Sequence, residues 1–179
     1  MIKYTIYREN LIMTNIKFST KISENDLYRY NLHHTYTSNQ GVLSILLFVL
    51  LMAVWILRFQ QLSLVYRVMY PAVAVVFLLY LPMSLKLRVK NQMLQEVFQH
   101  PLTYELTETG ILISSPTTDQ PAELPWEYIY KVTSWKDYLL IYSNRVNAYI
   151  IPMSDIENEY SAIKEYITNH VEDYKLQLK

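Results

Sequence analysis

The chain has 179 residues, 51% of them hydrophobic, with 16 basic and 16 acidic side chains. Its length fits one domain or a small domain with additions. Only two glycines occur, Gly41 and Gly110, so no Walker loop, dinucleotide fingerprint or Gly-x-Ser-x-Gly elbow can be written. Cysteine is absent, which excludes disulfides, thiol nucleophiles and cysteine zinc sites and leaves the redox compartment undetermined.

The zero net charge hides an asymmetry. Residues 1–40 carry five bases against three acids, net +2, and residues 41–90 carry five bases and no acid, net +5. Residues 91–179 hold six bases and thirteen acids, net −7. Basic flanks around an uncharged apolar middle, followed by an acidic tail domain, predict a membrane protein with a soluble module. A duplex-binding surface would need the opposite sign, so nucleic acid is not an expected partner.

The N-terminal arm, residues 1–40, opens with no assigned element. Residues 1–12 are expected to be dispensable, and Met13 is an alternative start. Ile16-Lys17-Phe18, followed by Ser-Thr, reads as a short strand. Ser23 as N-cap with Asp26 in the capping-box position starts a helix over Glu24 to about Thr35. Leu27, Tyr30, Asn31 and His34 share a face of it. Tyr7, Tyr28, Tyr30 and Tyr36 predict that the arm lies against headgroups or the soluble domain. His33 and His34 diverge by about 100° on a helix, and His100 and His170 fall in other elements. No metal site is expected.

Two apolar runs make a transmembrane hairpin over residues 41–86. Val42 to Leu57 contains only Ser44 as a polar residue, and Val68 to Leu85 is uncharged throughout. A hydrocarbon core of about 30 Å asks for about 20 helical residues, which flanking Arg58, Arg67 and Lys86 help to reach by snorkelling. Trp55, Tyr66, Tyr70 and Tyr80 suit interfaces. Pro71 and Pro82 read as a first-turn proline and an interfacial kink. Neither run carries the ionisable residue that marks an ion pathway. Lys21, Arg29, Lys86, Arg88 and Lys90 on one side, against Arg58 and Arg67 on the other, place both termini in the cytoplasm of a multi-pass cell-membrane protein.

A connecting helix is predicted over residues 87–101, ended by His100-Pro101. From residue 102 to 179 the period changes to two. Strands at Tyr104–Thr107 and Ile111–Ser114 flank Glu108-Thr109-Gly110, with the glycine a three-residue hairpin wants. Pro116 to Pro121 is a loop and Ala122–Leu124 a brief strand. Trp126 and Ile129 precede a strand over Tyr130–Trp135. Lys136-Asp137 turns the chain into Tyr138–Tyr142, and Ser143–Arg145 turns it into Asn147–Ile151 before Pro152. Ser154-Asp155-Ile156-Glu157 reads as a second capping box, opening a helix whose stripe is Ile156, Tyr160, Ile163, Ile167 and Val171. The expected fold is a membrane α-helical hairpin plus a small α+β domain, an antiparallel sheet with a C-terminal helix. The N-terminal strand would help so small a domain to fold.

Tyr104-x-Leu106, Gly110-Ile111, Trp126-x-x-Ile129-x-Lys131-Val132, Asp137-Tyr138-Leu139-Leu140 and Ala148-x-Ile150-x-Pro152 resemble the C-terminal domain of the YcxB-like bacterial membrane proteins. The order of parts is similar over roughly residues 14–171. The resemblance implies a pleckstrin-homology-like domain, a strongly bent sheet with the helix plugging one end. It brings no established catalytic residues. Trp126 is expected in the core with its ring N–H on a carbonyl, and Pro152 at the end of an edge strand.

No catalytic, cofactor-binding or metal-binding residue is assigned. Glu105 and Glu108 read as solvated, Asp155, Glu157 and Glu159 suit a helix start, and His170 is badly placed for a serine hydrolase. The expected function is a non-enzymatic, membrane-anchored interaction module, with the lipid bilayer around the hairpin and a protein partner on the domain. An oligomeric channel or transporter component and an accessory subunit of a membrane complex are the alternatives, and homo-oligomerisation stays open. From Thr103 onward, twelve acids face six bases, so anionic headgroups are not expected as the domain's main ligand. A cluster of Lys131, Lys136 and Arg145 would be the exception.

Overall fold

The computed structural model describes residues 16–118 and 120–178. The expectations about residues 1–12, Met13 and Tyr7 lie outside them. Residues up to Thr20, together with those from Leu102 onward, form one unit, and Lys21–Pro101 form another.

In the second unit, the capping box at Ser23 forms. The Asp26 N–H donates to Ser23 Oγ at 3.2 Å, and the Ser23 N–H donates to the Asp26 carboxylate at 3.0 Å. Helix α1 follows over Glu24–Thr37, with Leu27 and Tyr30 buried. At its end the Ser38 hydroxyl donates to the Thr35 carbonyl, and the chain turns at once into α2, Asn39–Arg58. A Cβ on Gly41 would meet the Thr35 carbonyl oxygen and Tyr36 Cα. Only glycine allows α1 and α2 to approach this closely.

A 3₁₀ turn at Phe59–Gln61 leads to α3, Leu64–Gln92, which packs on both α1 and α2. The second helix therefore begins four residues before the predicted Val68, and the loop is shorter than predicted. Pro71 is consequently an interior proline rather than a first-turn one. A proline there removes the N–H that the carbonyl four residues earlier, on Arg67, would accept. The Trp55 indole supplies the missing donor, its Nε1 lying 2.7 Å from the Arg67 carbonyl oxygen. Arg67 in turn donates from Nε to the Phe59 and Leu62 carbonyls, each at 3.0 Å, and lies 4.8 Å from the Phe59 ring centre. The tip of the hairpin thus satisfies backbone groups that helix ends leave open.

Both long helices are apolar enough and long enough to cross a membrane. Leu46, Leu50, Leu57, Val65 and Val76 are all more than half exposed. The connecting helix predicted over 87–101 is the end of α3 plus one turn, α4 at Glu96–Gln99.

The first unit contains two four-stranded sheets. One has the order β1-β2-β3-β4, with β1 Ile16–Thr20, β2 Leu102–Leu106, β3 Gly110–Ser114 and β4 Ala122–Pro125. The other has the order β7-β6-β5-β8, with β5 Lys131–Trp135, β6 Tyr138–Tyr142, β7 Ala148–Pro152 and β8 Leu176–Gln177. Strand β1 lies antiparallel to β2, pairing Ile16 with Leu106 and Thr20 with Leu102. Alternate residues of both sheets meet in one core, closed by Ile163, Tyr166 and Ile167 of α5, Tyr160–His170. Phe18 stacks on Tyr104 there at 5.3 Å. The result is two long apolar helices followed by a small, mainly antiparallel β domain with a C-terminal helix.

Three local expectations change. Ser154 does not cap a helix, because its hydroxyl bonds the Asp155 carboxylate and Met153–Asp155 form a 3₁₀ turn. Helix α5 begins only at Tyr160, while Ile156, with φ of −127°, leaves helical geometry and is fully buried. The sheet is not wholly antiparallel, since β8 pairs parallel with β5 at Val132–Leu176 and Thr133–Gln177. Gly110 has no positive φ. It is required because a Cβ would strike the Leu124 carbonyl oxygen and come within 2.7 Å of Pro125 Cα.

Burial first, and then the neighbouring Tyr149, raise the Tyr104 phenol well above its ordinary value, with the Thr20 hydroxyl acting against them. Burial raises Tyr149 as well. An unfolded tyrosine ionises near pH 10, so above that pH the unfolded chain holds fewer protons than the folded one. Stability contributed by neutral Tyr104 is therefore complete below about pH 10 and is lost as pH rises further. In an alkaline titration read by tyrosinate absorbance, part of the signal should appear only as the domain unfolds. Tyr104→Phe should remove part of that late signal.

Candidate functional site

Pro125 ends β4, and a 3₁₀ turn over Trp126–Tyr128 reverses the chain towards β5. Trp126 is turned inward, with Nε1 donating to the Thr107 carbonyl at 2.9 Å, as expected from its sequence context. Its ring stacks on His170 with centres 5.1 Å apart, and His170 stacks on Tyr166 at 4.5 Å. Tyr166 and His170 are four residues apart on α5, which puts them on one face. His170 Nδ1 lies 2.8 Å from the Tyr166 carbonyl oxygen. A carbonyl can only accept, so Nδ1 carries a proton and Nε2 faces Glu108, whose carboxylate is 3.7 Å away. Burial, and then the Glu108 charge, raise the Tyr166 phenol above its ordinary range.

Outside this stack, Trp126, Glu127, His170, Glu172 and Lys175 line a cavity of about 440 Å³. Beside it runs a groove of about 550 Å³ between Glu127–Tyr130, Ser143–Arg145 and the tail residues Tyr174 and Lys175. Lys175 links the two, donating to the Glu127 carbonyl at 3.3 Å and pairing with Glu172 at 3.1 Å. Hydrogen bonds from Tyr174, then from Lys175, hold the Glu172 carboxyl below the usual carboxylate range. The tail is kept beside the groove by the pairing of β8 with β5.

Three tyrosines at the groove stand in solvent: Tyr128 is 65% exposed, Tyr130 45% and Tyr174 78%. Arg145 is also exposed, on a turn shaped by Asn144, whose side-chain oxygen accepts from the Val146 and Asn147 N–H groups at 2.9 and 2.8 Å. Among the described residues Arg145 makes no ion pair. Aromatic rings with polar tips and a free guanidinium can stack, donate hydrogen bonds and hold a carboxylate in two-pronged fashion.

The structure separates the bases considered for headgroup binding. Lys131 pairs opposite Tyr142, at the same end of the β5–β6 hairpin as Arg145, whereas Lys136 sits in the turn at its other end. Five strand residues make that separation about 16 Å. Lys131 lies 4.5 Å from the Tyr142 ring centre and Lys136 5.1 Å from that of Trp135. His33 and His34 lie on α1 and His100 follows α4. Among the described residues no three His, Asp or Glu side chains converge. Pro152 closes β7, an edge strand. Sequence reasoning missed Tyr128, Tyr130 and Tyr174 as a group. Their only signal was an excess of tyrosine without apolar periodicity.

A mixed helical-hairpin and β-domain chain with an aromatic-lined groove on the β domain is the class that emerges. The family model described as YcxB-like protein matches residues 106–167, from the end of β2 to Ile167 in α5. The matched stretch covers about a third of the chain, so its similarity to a YcxB-like domain is confined to the β domain. The match includes Trp126 and Arg145 and stops short of the tail that carries Tyr174. No curated protein and no solved structure matches the chain.

Proposed function

We propose that the protein is a non-enzymatic interaction module, anchored in the cell membrane by the α2–α3 hairpin as a two-pass segment with both termini cytoplasmic. Its β domain, pleckstrin-homology-like in arrangement, receives a protein partner in the tyrosine-lined groove. The observation that carries this reading is the groove itself. Tyr128, Tyr130 and Tyr174 are exposed around an unpaired Arg145, and tyrosine and arginine are the residue types that dominate binding energy at protein interfaces.

Three further features support the arrangement. The apolar stretches of α2 and α3 are almost wholly unburied by the protein, as lipid-facing helices are and as core helices of a soluble protein are not. Residues 21–101 interrupt a sheet in which Thr20 and Leu102 are direct partners. A segment that leaves and re-enters one sheet at neighbouring positions supports a hairpin whose two ends lie on one face of the bilayer. The five-to-two excess of bases at that end favours the cytoplasmic face. Two four-stranded sheets sharing a core with one C-terminal helix support the pleckstrin-like arrangement.

A photo-crosslinking residue at Tyr130 of the full-length protein, activated in intact membranes, tests the groove. A discrete protein adduct is expected, at least fivefold weaker when Arg145→Glu is added. Adducts to lipid alone, or a protein adduct indifferent to Arg145, would exclude this groove as the partner site.

A further inference from the structure

We infer that Lys86, Arg88 and Lys90 form a binding rim for anionic phospholipid headgroups of the membrane that α3 crosses, an inference that rests on the anchoring role of the hairpin. All three side chains are exposed. Among the described residues none of them is ion-paired. The sequence has no acid between Asp26 and Glu96, so α2 and α3 carry none of their own.

Their depth is fixed by the helix. The uncharged run of α3 ends at Leu85, and the helix continues without a break to Gln92. At about 1.5 Å per residue, Lys90 lies only about 6 Å along the axis beyond Lys86. The polar layer on each side of a bilayer is about 5–7 Å thick. All three cations therefore fall within the phosphate layer if Leu85 marks the hydrocarbon boundary. The segment is braced as well: Leu85 and Val89 are buried, Val89 completely, and α1 packs on α3. Leu85 and Val89 share one face, with Lys86 and Lys90 to one side of it and Arg88 to the other. A braced helix presenting cations on both flanks at one depth can engage several headgroups together.

Each base near an anionic surface strengthens attraction about fivefold. The test uses the full-length protein in vesicles of phosphatidylcholine with a minor share of phosphatidylglycerol. Lipid retained after mild solubilisation is quantified by mass spectrometry, and carbonate-washed membranes are sedimented in parallel. Phosphatidylglycerol should be enriched at least fivefold over its share of the vesicles. The enrichment should vanish in K86Q/R88Q/K90Q and at about 1 M salt, where the screening length is about 3 Å. Equal enrichment in the wild type and the triple variant, with both resisting carbonate, would overturn the rim while leaving the anchor intact. Release of the wild type by carbonate would overturn both. Replacing chloride with inorganic phosphate at equal ionic strength should leave the enrichment unchanged, and its collapse there would assign the rim to free phosphate instead.

Discussion

Trp126→Ala should lower the stability of the β domain by about 3–5 kcal/mol, the usual cost of truncating a large buried aromatic. The ring fills the space between the Thr107 carbonyl and the His170–Tyr166 stack, and alanine leaves that space empty. Such a loss takes up much of the 5–15 kcal/mol that holds a domain folded. Trp126→Phe separates two effects, because it keeps an aromatic ring in place and leaves the Thr107 carbonyl without its donor. Its expected cost is about 1–3 kcal/mol. Amide hydrogen exchange of β3 and β4 in the full-length protein reads both. Equal costs for the two variants would mean that the hydrogen bond, and not the packing, is what Trp126 supplies.

Gly110→Ala should be nearly as damaging. Inserting a methyl into a filled site costs about 1–3 kcal/mol, and more where nothing can give way. Here the obstructions are the Leu124 carbonyl and Pro125 Cα, both backbone atoms of the paired strand. Strands β3 and β4 must separate, and Trp126, directly after β4, moves with them. The expected loss lies at or above the upper end of that range. Thr109→Ala, one residue earlier, removes an exposed hydrogen bond to Glu123 and should cost less than about 1 kcal/mol. A Gly110→Ala domain as stable as the Thr109→Ala domain would show that β3 and β4 can accommodate the methyl.

The contrast between two capping signals shows how far the sequence could be read. Ser23 and Asp26 form their box because both partners are local and the residues around them are free to turn. Ser154 and Glu157 have the same spacing, yet core burial of Ile156 sets the backbone there and the helix starts later. Alternation of apolar residues located β2 and β5, where burial of one strand face leaves a period of two, whereas β6, buried at all five positions, was legible only from the turns that bound it. Strand β8 has two residues and therefore no period. The need for glycine at 110 was visible, but its reason was not, because the obstructing backbone belongs to a strand more than ten residues away. The groove was hidden for the same cause: Tyr128, Tyr130 and Tyr174 meet only once the tail pairs with β5. Trp55 is the counterpart in the helical hairpin. Its nearness to a helix end was legible, while its service to the carbonyl freed by Pro71 depends on where α3 begins.

The pairing of β1 with β2 also sets an order of events during synthesis. A ribosome adding about 5–20 residues per second needs on the order of 10 seconds to make the stretch between Thr20 and Leu102. Throughout that interval β1 has been made and its partner strand does not yet exist. Ile16 and Phe18 must stay unpaired, and exposed to other strands, until both long helices have been made. Closure of the first sheet thus waits for the whole hairpin, and the second sheet, made from Lys131 onward, begins later still. A nascent chain stalled before Leu102 would carry a finished hairpin and a free strand edge, the kind of species that chaperones hold.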